Sequence, residues 1–392
     1  MADYISELPD SLLCHILSFL PTKTAVLTGI LSNRWRLLWT SLPILDFDDD
    51  TQIQNKNQFH VGFAKFVDSV LIQREPQPIK GFHLKCTFPS CNSIKVKAWV
   101  NEAINQRVEQ LELNVSPPMR IALPLTIYTC RTLVVLKLNG VFEIASLPVH
   151  LPKLKVLDIG EDFYAKNHDF IMKFLSGCPV LENLVLDSFK SLTCGCQSGR
   201  DDDVVFGISC SNLVEAKLGF FYSKRCTAAV YTLFKTLNNV RFLSISGFTC
   251  QSLKYASAKD FPAFHNLIQL EITFGTYYWE FLANLIQNSS KLEVLNIYKE
   301  PFACSNEPEP TWLNPLPIAK CVLSHLKSLS FGGYQGLECE LGFVGYILKN
   351  AQVLGNMTIY CASPLEAMPK HQIMKILSTV PRKSATCQVL FY

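Results

Sequence analysis

Apolar and polar positions along this chain follow two rhythms. Near the N-terminus Leu8, Leu12, Leu13, Ile16, Leu17 and Leu20 recur at helical spacing, which predicts a helix with one wide apolar face. Pro21 ends it, because proline lacks an N–H and disfavours helix at the residue before it. Thr22 or Thr24 is placed to cap the next helix, which carries Ala25, Val26, Ile30 and Leu31. A third short helix follows with Trp35, Leu38 and Trp39. Three short helices make only a small core, and a unit of about forty residues tends to rely on a partner. Residues 58–73 then place Phe59, Phe63, Phe66, Val67, Val70 and Leu71 on one face of a longer helix, which Pro76 and Pro78 terminate.

From residue 79 the rhythm changes. An apolar residue, two others, an apolar residue, one other and an apolar residue recur eleven times. The first matches are Ile79-Phe82-Leu84, Val108-Leu111-Leu113, Leu133-Leu136-Leu138 and Leu154-Leu157-Ile159. The last is Leu354-Met357-Ile359. The mean spacing is roughly 27 residues, within the leucine-rich-repeat range. The inner two apolar positions alternate as one face of a strand must. Stretches at 169–177, 228–237, 277–287 and 343–349 read as the returning helices. One such repeat cannot bury its apolar face alone, whereas stacked repeats bury a continuous core and present a curved surface. The fold class expected is therefore α/β: three N-terminal helices, a capping helix, and a curved leucine-rich-repeat solenoid.

Two gaps between repeats are longer. Residues 187–212 hold Cys194, Cys196 and the run Asp201-Asp202-Asp203; residues 298–325 hold Pro301, Pro308, Pro310, Pro315 and Pro317. Both read as exposed loops. Cys194 and Cys196 lack a second pair or a nearby His, so no metal site is expected.

Composition narrows the function. The chain of 392 residues is 48% hydrophobic and 18% charged, which suits a long core and not a disordered chain. The formal net charge is +3 and the basic residues are scattered, so no nucleic-acid partner is expected. No secretory leader and no apolar run of about 20 residues is evident, which predicts a soluble, intracellular protein, nuclear or cytoplasmic, with no membrane partner. There is no P-loop, Gly-rich dinucleotide turn, His-Glu-x-x-His or Gly-x-Ser-x-Gly, and the eight histidines are dispersed. No enzyme activity and no cofactor are expected.

The stretch Ile5-Ser6-Glu7-Leu8-Pro9-Asp10, then Ile16-Leu17-Ser18-Phe19-Leu20-Pro21-Thr22-Lys23, Leu31-Ser32-Asn33-Arg34-Trp35-Arg36, Leu38-Trp39 and Leu45-Asp46-Phe47, resembles the F-box of the plant F-box/leucine-rich-repeat family. The chain end resembles that family's FBD region, through Leu326-Lys327, Phe331-Gly332-Gly333-Tyr334, residues 346–351, Met357-Thr358-Ile359, Pro381-Arg382, Ser384, Cys387 and Gln388. Thr24 and Gly29 depart from the family's usual second F-box helix. The resemblance divides the chain into an F-box (1–47), a linker and capping helix (48–78), leucine-rich repeats (79–341) and an FBD-like end (342–392) that continues and caps the repeats.

The resemblance implies a non-catalytic substrate receptor of an SCF-type ubiquitin ligase. The F-box would dock on a Skp-family adaptor, and through it on a cullin and a RING subunit, while the repeats bind an unknown protein substrate. The alternative is an adaptor-bound interaction scaffold or a small-molecule sensor. The expected adaptor contacts are Leu8, Pro9, Leu12, Ile16, Leu17, Leu20 and Pro21, with Trp35 in support; Leu13, Val26 and Leu31 are read as core. On the repeats, side chains between the inward positions face outward from the core. Among these Phe242, Tyr298 and Tyr360 are the anchor candidates, because exposed aromatics carry a disproportionate share of binding energy.

Fifteen cysteines, an odd number in a long chain, point to reduced thiols, with Cys130, Cys178 and Cys210 at one register of three repeats. Denatured protein purified without air is expected to titrate close to fifteen thiols in the absence of reductant; several protected thiols would contradict this reading.

Overall fold

The computed structural model describes residues 5, 7–49, 56–87, 91–143, 145, 147–160, 164–165, 169–191, 211–220, 227–253, 261–274, 279–299, 312, 314, 317–362 and 368–392. The Cys194 and Cys196 pair, the run 201–203, Cys210 and most of the proline-rich loop lie outside these residues. The chain divides into two compact units, residues 1–181 with 188–206, and residues 182–187 with 207–392.

The first unit opens with α1 (Asp10–Leu17) and α2 (Thr22–Leu27). Two 3-10 segments follow, Thr28–Ile30 and Trp35–Ser41, the second where a third helix was expected. Thr22 does not cap α2: its Oγ1 accepts a hydrogen bond from the Asp46 N–H at 2.7 Å, and the cap position belongs to Pro21. Its side chain is buried, and satisfying an inner amide outweighs a solvent-exposed cap.

Next come β1 (Ile44–Asp48), α3 (Lys56–Gln73), β2 (Gly81–Cys86), α4 (Ser93–Asn105), β3 (Gln110–Ala122), β4 (Val135–Glu143) and β5 (Val156–Ile159). The short β6 (Tyr164–Ala165) and α5 (Asp169–Gly177) close the unit. Strands β1 to β5 pair in sequence order, all parallel. Phe82, Leu111, Leu136 and Leu157 lie in one register row, and Leu84, Leu113, Leu138 and Ile159 in another; all are buried. Leu45 pairs with Phe82 and Phe47 with Leu84, so the tail of the N-terminal helical stretch supplies the first strand of the sheet.

β7 (Asn183–Ser191) begins in the second unit. That unit continues with β8 (Glu215–Phe220), α6 (Thr227–Thr236), β9 (Phe242–Ile245), α7 (Gly247–Leu253), β10 (Gln269–Phe274), α8 (Trp279–Gln287) and β11 (Val294–Lys299). Its last part holds α9 (Lys320–Ser324), β12 (Ser328–Tyr334), α10 (Glu338–Asn350), β13 (Asn356–Cys361), α11 (Lys370–Thr379) and β14 (Gln388–Phe391). Strands β8 to β14 are again parallel, with one row running Ala216, Leu243, Leu270, Leu295, Leu329, Met357 and Val389.

One backbone device recurs at the start of nearly every strand. The carbonyl just before a strand accepts hydrogen bonds from two successive N–H groups of the next. Pro43 O takes Lys80 and Gly81 (2.7 and 3.1 Å), Lys80 O takes Glu109 and Gln110, and Glu109 O takes Val134 and Val135. In the second unit Arg241 O takes Ile268 and Gln269, and Glu293 O takes Lys327 and Ser328. Each carbonyl has two lone pairs, so this shared acceptance fixes the stagger of neighbouring strands.

The loop before α9 was read as exposed, yet Trp312 within it is buried. It packs edge-on against Phe343 (5.0 Å between ring centres) and Trp279 (5.7 Å). α10 also carries one half of a buried ion pair. Lys299 Nζ sits 2.6 Å from Glu340 Oε1, with the two side chains 3% and 0% exposed. Lys299 also donates to Gln335 Oε1 (2.7 Å), and Glu340 Oε2 accepts the N–H groups of Gln335, Gly336 and Leu337 at 2.7 to 3.1 Å. Gly333 makes room for the strand exit here: its φ is +72°, and a Cβ would lie 2.3 Å from the Lys299 carbonyl.

The thiol expectation needs one correction. Cys86, at the end of β2, and Cys91, before α4, are joined by a disulfide only five residues apart. Burial brings the two together where strand turns into helix, a proximity that spacing alone does not reveal. Cys130, Cys178, Cys250 and Cys321 are buried. This pair, found among the described residues, lowers the number of thiols expected to titrate without reductant by two. The Glu340→Ala change leaves Lys299 buried without its partner and three amides unsatisfied. It is expected to cost about 3–5 kcal/mol in urea unfolding; a loss under ~1 kcal/mol would show that the pair contributes no more than a surface one.

Candidate functional site

Two surfaces hold the residues singled out in the sequence. The first lies on the N-terminal helices. Leu13, Leu17, Ala25, Trp35, Leu38 and Trp39 are buried and form the inside of this small unit. Leu17 (1% exposed) and Trp35 (6%) were expected at an interface; they are closed off and act from within. Leu12 and Ile16 on α1 are exposed, as are Pro9 and Pro21, while Leu8 and Leu20 are half-buried. Leu31 was read as core and is instead exposed, and Val26 is half-buried.

The helical face is thus amphipathic in reverse. Its inner stripe is satisfied within the chain, and a second apolar set remains outside. Ile5, Phe19 (75% exposed), Leu27, Ile30 (85%) and Leu37 join Leu12, Ile16 and Leu31 in that outer set. Sequence reading did not count Ile5, Phe19, Leu27, Ile30 and Leu37 as contacts because helical periodicity assigns one apolar face per helix, whereas Ile30 and Leu37 lie in 3-10 segments, whose tighter turn follows a different period. Such a concentration of exposed apolar side chains marks an interaction surface.

The entry to this face is pinned electrostatically. Arg34 Nε and Nη2 donate to Asp10 Oδ1 (2.8 and 2.6 Å), and Nη2 also donates to the Leu8 carbonyl. This holds the Leu8-Pro9 turn against the start of the 3-10 segment. Gly29 lets the two 3-10 turns approach, since a Cβ there would lie 3.3 Å from Arg36 Cα.

Arg74, just after α3, ties the helical unit to the sheet. Its buried guanidinium donates to the carbonyls of Leu42 (2.7 Å) and Gln77 (2.6 Å) and to Gln106 Oε1 (2.8 Å). Burial lowers its pKa from the usual arginine value, opposed by neighbouring Glu75. Glu75 N–H donates to Thr40 O, and Ser41 Oγ donates to Glu75 Oε2. Three stretches, 40–42, 74–78 and 106, thereby meet around Arg74 and Glu75. Where α3 meets α4, Asp68 accepts from Lys95 Nζ (2.6 Å) and Trp99 Nε1 (2.8 Å). Burial raises its pKa, but these hydrogen bonds and the Lys95 charge outweigh that and hold it low.

The second surface is the outward face of the strands. In the first unit it is charged: Asp46, His83, Glu112, Lys137 and Asp158 share one register row. Lys137 pairs with Glu112 at 2.8 Å and Lys85 with Asp48 at 3.1 Å. Asp46 is half-buried, and burial raises its pKa despite the opposing His83. In the second unit the face turns aromatic toward the end. Tyr298 and Tyr360 are exposed and flank Gly332 in one row. A Cβ on Gly332 would lie 2.7 Å from Tyr298 Cδ2, so glycine lets that ring lie across the strand. Tyr360 stacks on Tyr392 with ring centres 5.3 Å apart. Phe242 does not join them: it begins β9, in register with Gln269 and Val294, and is half-buried beneath Lys217, whose Nζ is 5.7 Å from the ring centre.

Among the described residues no cluster of three His, Cys, Asp or Glu side chains could hold a metal ion, and no helix is long and apolar enough to cross a membrane.

Residues 5–47 match the F-box domain model, residues 96–218 the model for the LRR repeats of FBD-associated F-box protein At5g56370, and residues 314–359 the FBD model. The F-box/LRR-repeat protein At4g14103 of Arabidopsis thaliana is 32% identical over 78% of this chain and 94% of its own length. The chain belongs to the F-box/LRR-repeat family. Its FBD region places it among the F-box/FBD/LRR-repeat proteins. Two of these from the same plant, At5g56420 and At4g26340, are 29% and 28% identical over 99% of this chain. The F-box match covers the helices with the outer apolar set and ends at β1; the FBD match takes in Tyr334 and the Lys299 partner Glu340. Tyr334 is fully buried, its hydroxyl has no partner among the described residues, and burial together with Glu340 pushes its pKa up.

The Arg74→Ala change removes a buried donor set and leaves the Leu42 and Gln77 carbonyls unpaired. It is expected to lower stability by about 2–4 kcal/mol and to open residues 42–80 to limited proteolysis before the repeats. Unchanged cleavage would show that Arg74 does not couple the F-box to the sheet.

Proposed function

We propose that the chain is the substrate-recognition subunit of an SCF-type ubiquitin ligase. The observation that carries this is the outer apolar set on an F-box whose own core is already complete. Side chains such as Leu12, Ile16, Phe19 and Ile30 gain nothing from exposure, and a groove-bearing adaptor would bury them in the manner of helix-in-groove recognition. The contact set is Leu8, Pro9, Leu12, Ile16, Leu20 and Pro21 with Phe19, Leu27, Ile30 and Leu31 added, and Leu17 and Trp35 supporting from inside. The adaptor, of the Skp family, connects to a cullin and a RING subunit, and all transfer chemistry belongs to these partners. The chain itself is non-catalytic and works in the nucleus or cytoplasm.

The repeats bind the protein to be ubiquitinated. Tyr298 and Tyr360 are its anchors, with Phe242 a separate contact. The parts are the F-box to residue 47, a linker and capping helix to 78, a curved run of repeats to 341, and an FBD-type end that covers the last repeat. Arg74 and the β1–β2 pairing support a rigid joint between the F-box and the first repeats. An adaptor-bound scaffold with no role in transfer is the second reading, and a small-molecule sensor the third; reconstituted ubiquitination of a bound protein separates the first two.

The Leu8→Ala, Pro9→Ala double variant is expected to lose co-purification of a Skp-family adaptor at least about tenfold while its melting temperature stays that of the parent. A chain lacking residues 1–47 should lose the adaptor as well. Undiminished adaptor recovery by the double variant would defeat the docking assignment.

A further inference from the structure

The last strand of the second unit has a free edge. β14 pairs with β13 on one side, and no described strand pairs with it on the other. Gln388 N–H donates to the Gly355 carbonyl (2.8 Å), Tyr392 N–H donates to the Ile359 carbonyl (2.9 Å), and the Tyr392 carbonyl accepts from Cys361 N–H (3.0 Å). Even-numbered residues thus turn their main chain toward β13. Strand geometry alternates, so Val389 and Phe391 turn their N–H and C=O groups outward. Their side chains align with Met357 and Ile359 on the core face, yet where Met357 and Ile359 are fully buried, Val389 and Phe391 are only half covered. On the opposite face Leu390 and Tyr392 are exposed. Residues 388–392 contain no charged side chain and no proline. These are the devices that normally protect an edge from pairing, and neither is present.

The surroundings state what kind of strand would fit. Residues 368–392 contain Lys370, Lys375, Arg382 and Lys383 and no Asp or Glu. All four cations are exposed, and none is in an ion pair among the described residues. Arg382 reaches the strand itself, donating to the Cys387 carbonyl at 3.0 Å. A second copy laid along the same edge would bring two such cationic groups together, which like-charge repulsion opposes. A negatively charged strand is attracted by the same field.

We propose that the outer edge of β14 is a docking site for an extended acidic segment of a partner protein. The segment adds as a further strand beside Val389 and Phe391. Apolar side chains at alternate positions continue the core row, and carboxylates answer Lys370, Lys375, Arg382 and Lys383. Main-chain hydrogen bonds supply affinity in this mode, and alternate side chains supply specificity. The site uses the outward main chain of Val389 and Phe391, adjoins the Tyr360–Tyr392 stack, and shares no residue with the adaptor contact set, so its failure leaves the adaptor-docking reading untouched.

The test is fluorescence anisotropy of a short labelled peptide of alternating glutamate and valine titrated with the full chain. Val389→Pro deletes an outward N–H while leaving the bonds to β13, a change that edge strands tolerate. It is expected to weaken binding about tenfold. The Lys375→Glu, Lys383→Glu variant tests the charge without touching the strand and is expected to weaken binding similarly, as is raised salt. A peptide of alternating lysine and valine should not bind. Equal binding of the glutamate peptide by the parent and Val389→Pro, or equal binding of both peptides, overturns the proposal. So does a dimer that forms without peptide and is abolished by Val389→Pro, which would assign the edge to a second copy. Binding of a single-stranded oligonucleotide in place of the peptide, unaffected by Val389→Pro, would likewise overturn it.

Discussion

Everything in this molecule depends on one shared hydrogen-bond acceptor per repeat. The carbonyl that precedes a strand takes two amides from the next, as Pro43 O does from Lys80 and Gly81 and as Glu293 O does from Lys327 and Ser328. A parallel strand has no hairpin to set its register, and a slip by one residue would turn its core side chains to solvent. The paired acceptance removes that freedom. With stagger fixed, Leu111, Leu136 and Leu157 fall into one row, as do Leu270, Leu295 and Leu329. The repeats tolerate spacing as unequal as that between Leu133 and Leu154 and between Leu292 and Leu326, because the variation is absorbed after the anchored start.

Two buried cations are exceptions to an apolar interior, and both sit where the regular stack meets something else. Arg74 lies where the F-box joins the first repeats, and Lys299, at the end of β11, pairs with Glu340 inside the FBD match. Burying a charge is costly unless it is paired or fully hydrogen-bonded. Arg74 meets that condition in part, its two terminal nitrogens donating to carbonyls and to Gln106 while its buried Nε has no partner among the described residues, and Lys299 is paired with Glu340 and donates to Gln335. Such arrangements are directional where packing of leucines is not. They specify how a segment leaves the stack, and apolar contacts alone would allow several exits.

The surfaces follow from the same economy of positions. In the F-box a short sequence serves two needs: Leu13 and Leu17 fill the inside, and Leu12 and Ile16 stay outside on the same helix. In the second unit a strand position that faces away from the core is free to vary, and there Tyr298, Gly332 and Tyr360 form an aromatic row in which glycine gives one ring its place.

Much of this was determined by the sequence alone. The eleven repeats, their inward positions and helices such as Asp169–Gly177 were legible, because a two-residue alternation and a helical period each leave a direct trace in residue order. The family was legible for the same reason, in the F-box and FBD stretches. What only the tertiary structure decided involves residues brought together from distant positions. Nothing in local spacing shows that Leu45 and Phe47 pair with Phe82 and Leu84, that Thr22 serves Asp46 and not a helix cap, that Trp312 leaves a proline-rich loop to pack on Phe343, or that Cys86 meets Cys91. The division of the F-box leucines into inner and outer sets was also beyond the sequence. Both sets are equally apolar, and only the way the 3-10 turns pack on α1 sends Leu17 and Trp35 inward and leaves Leu31 in solvent.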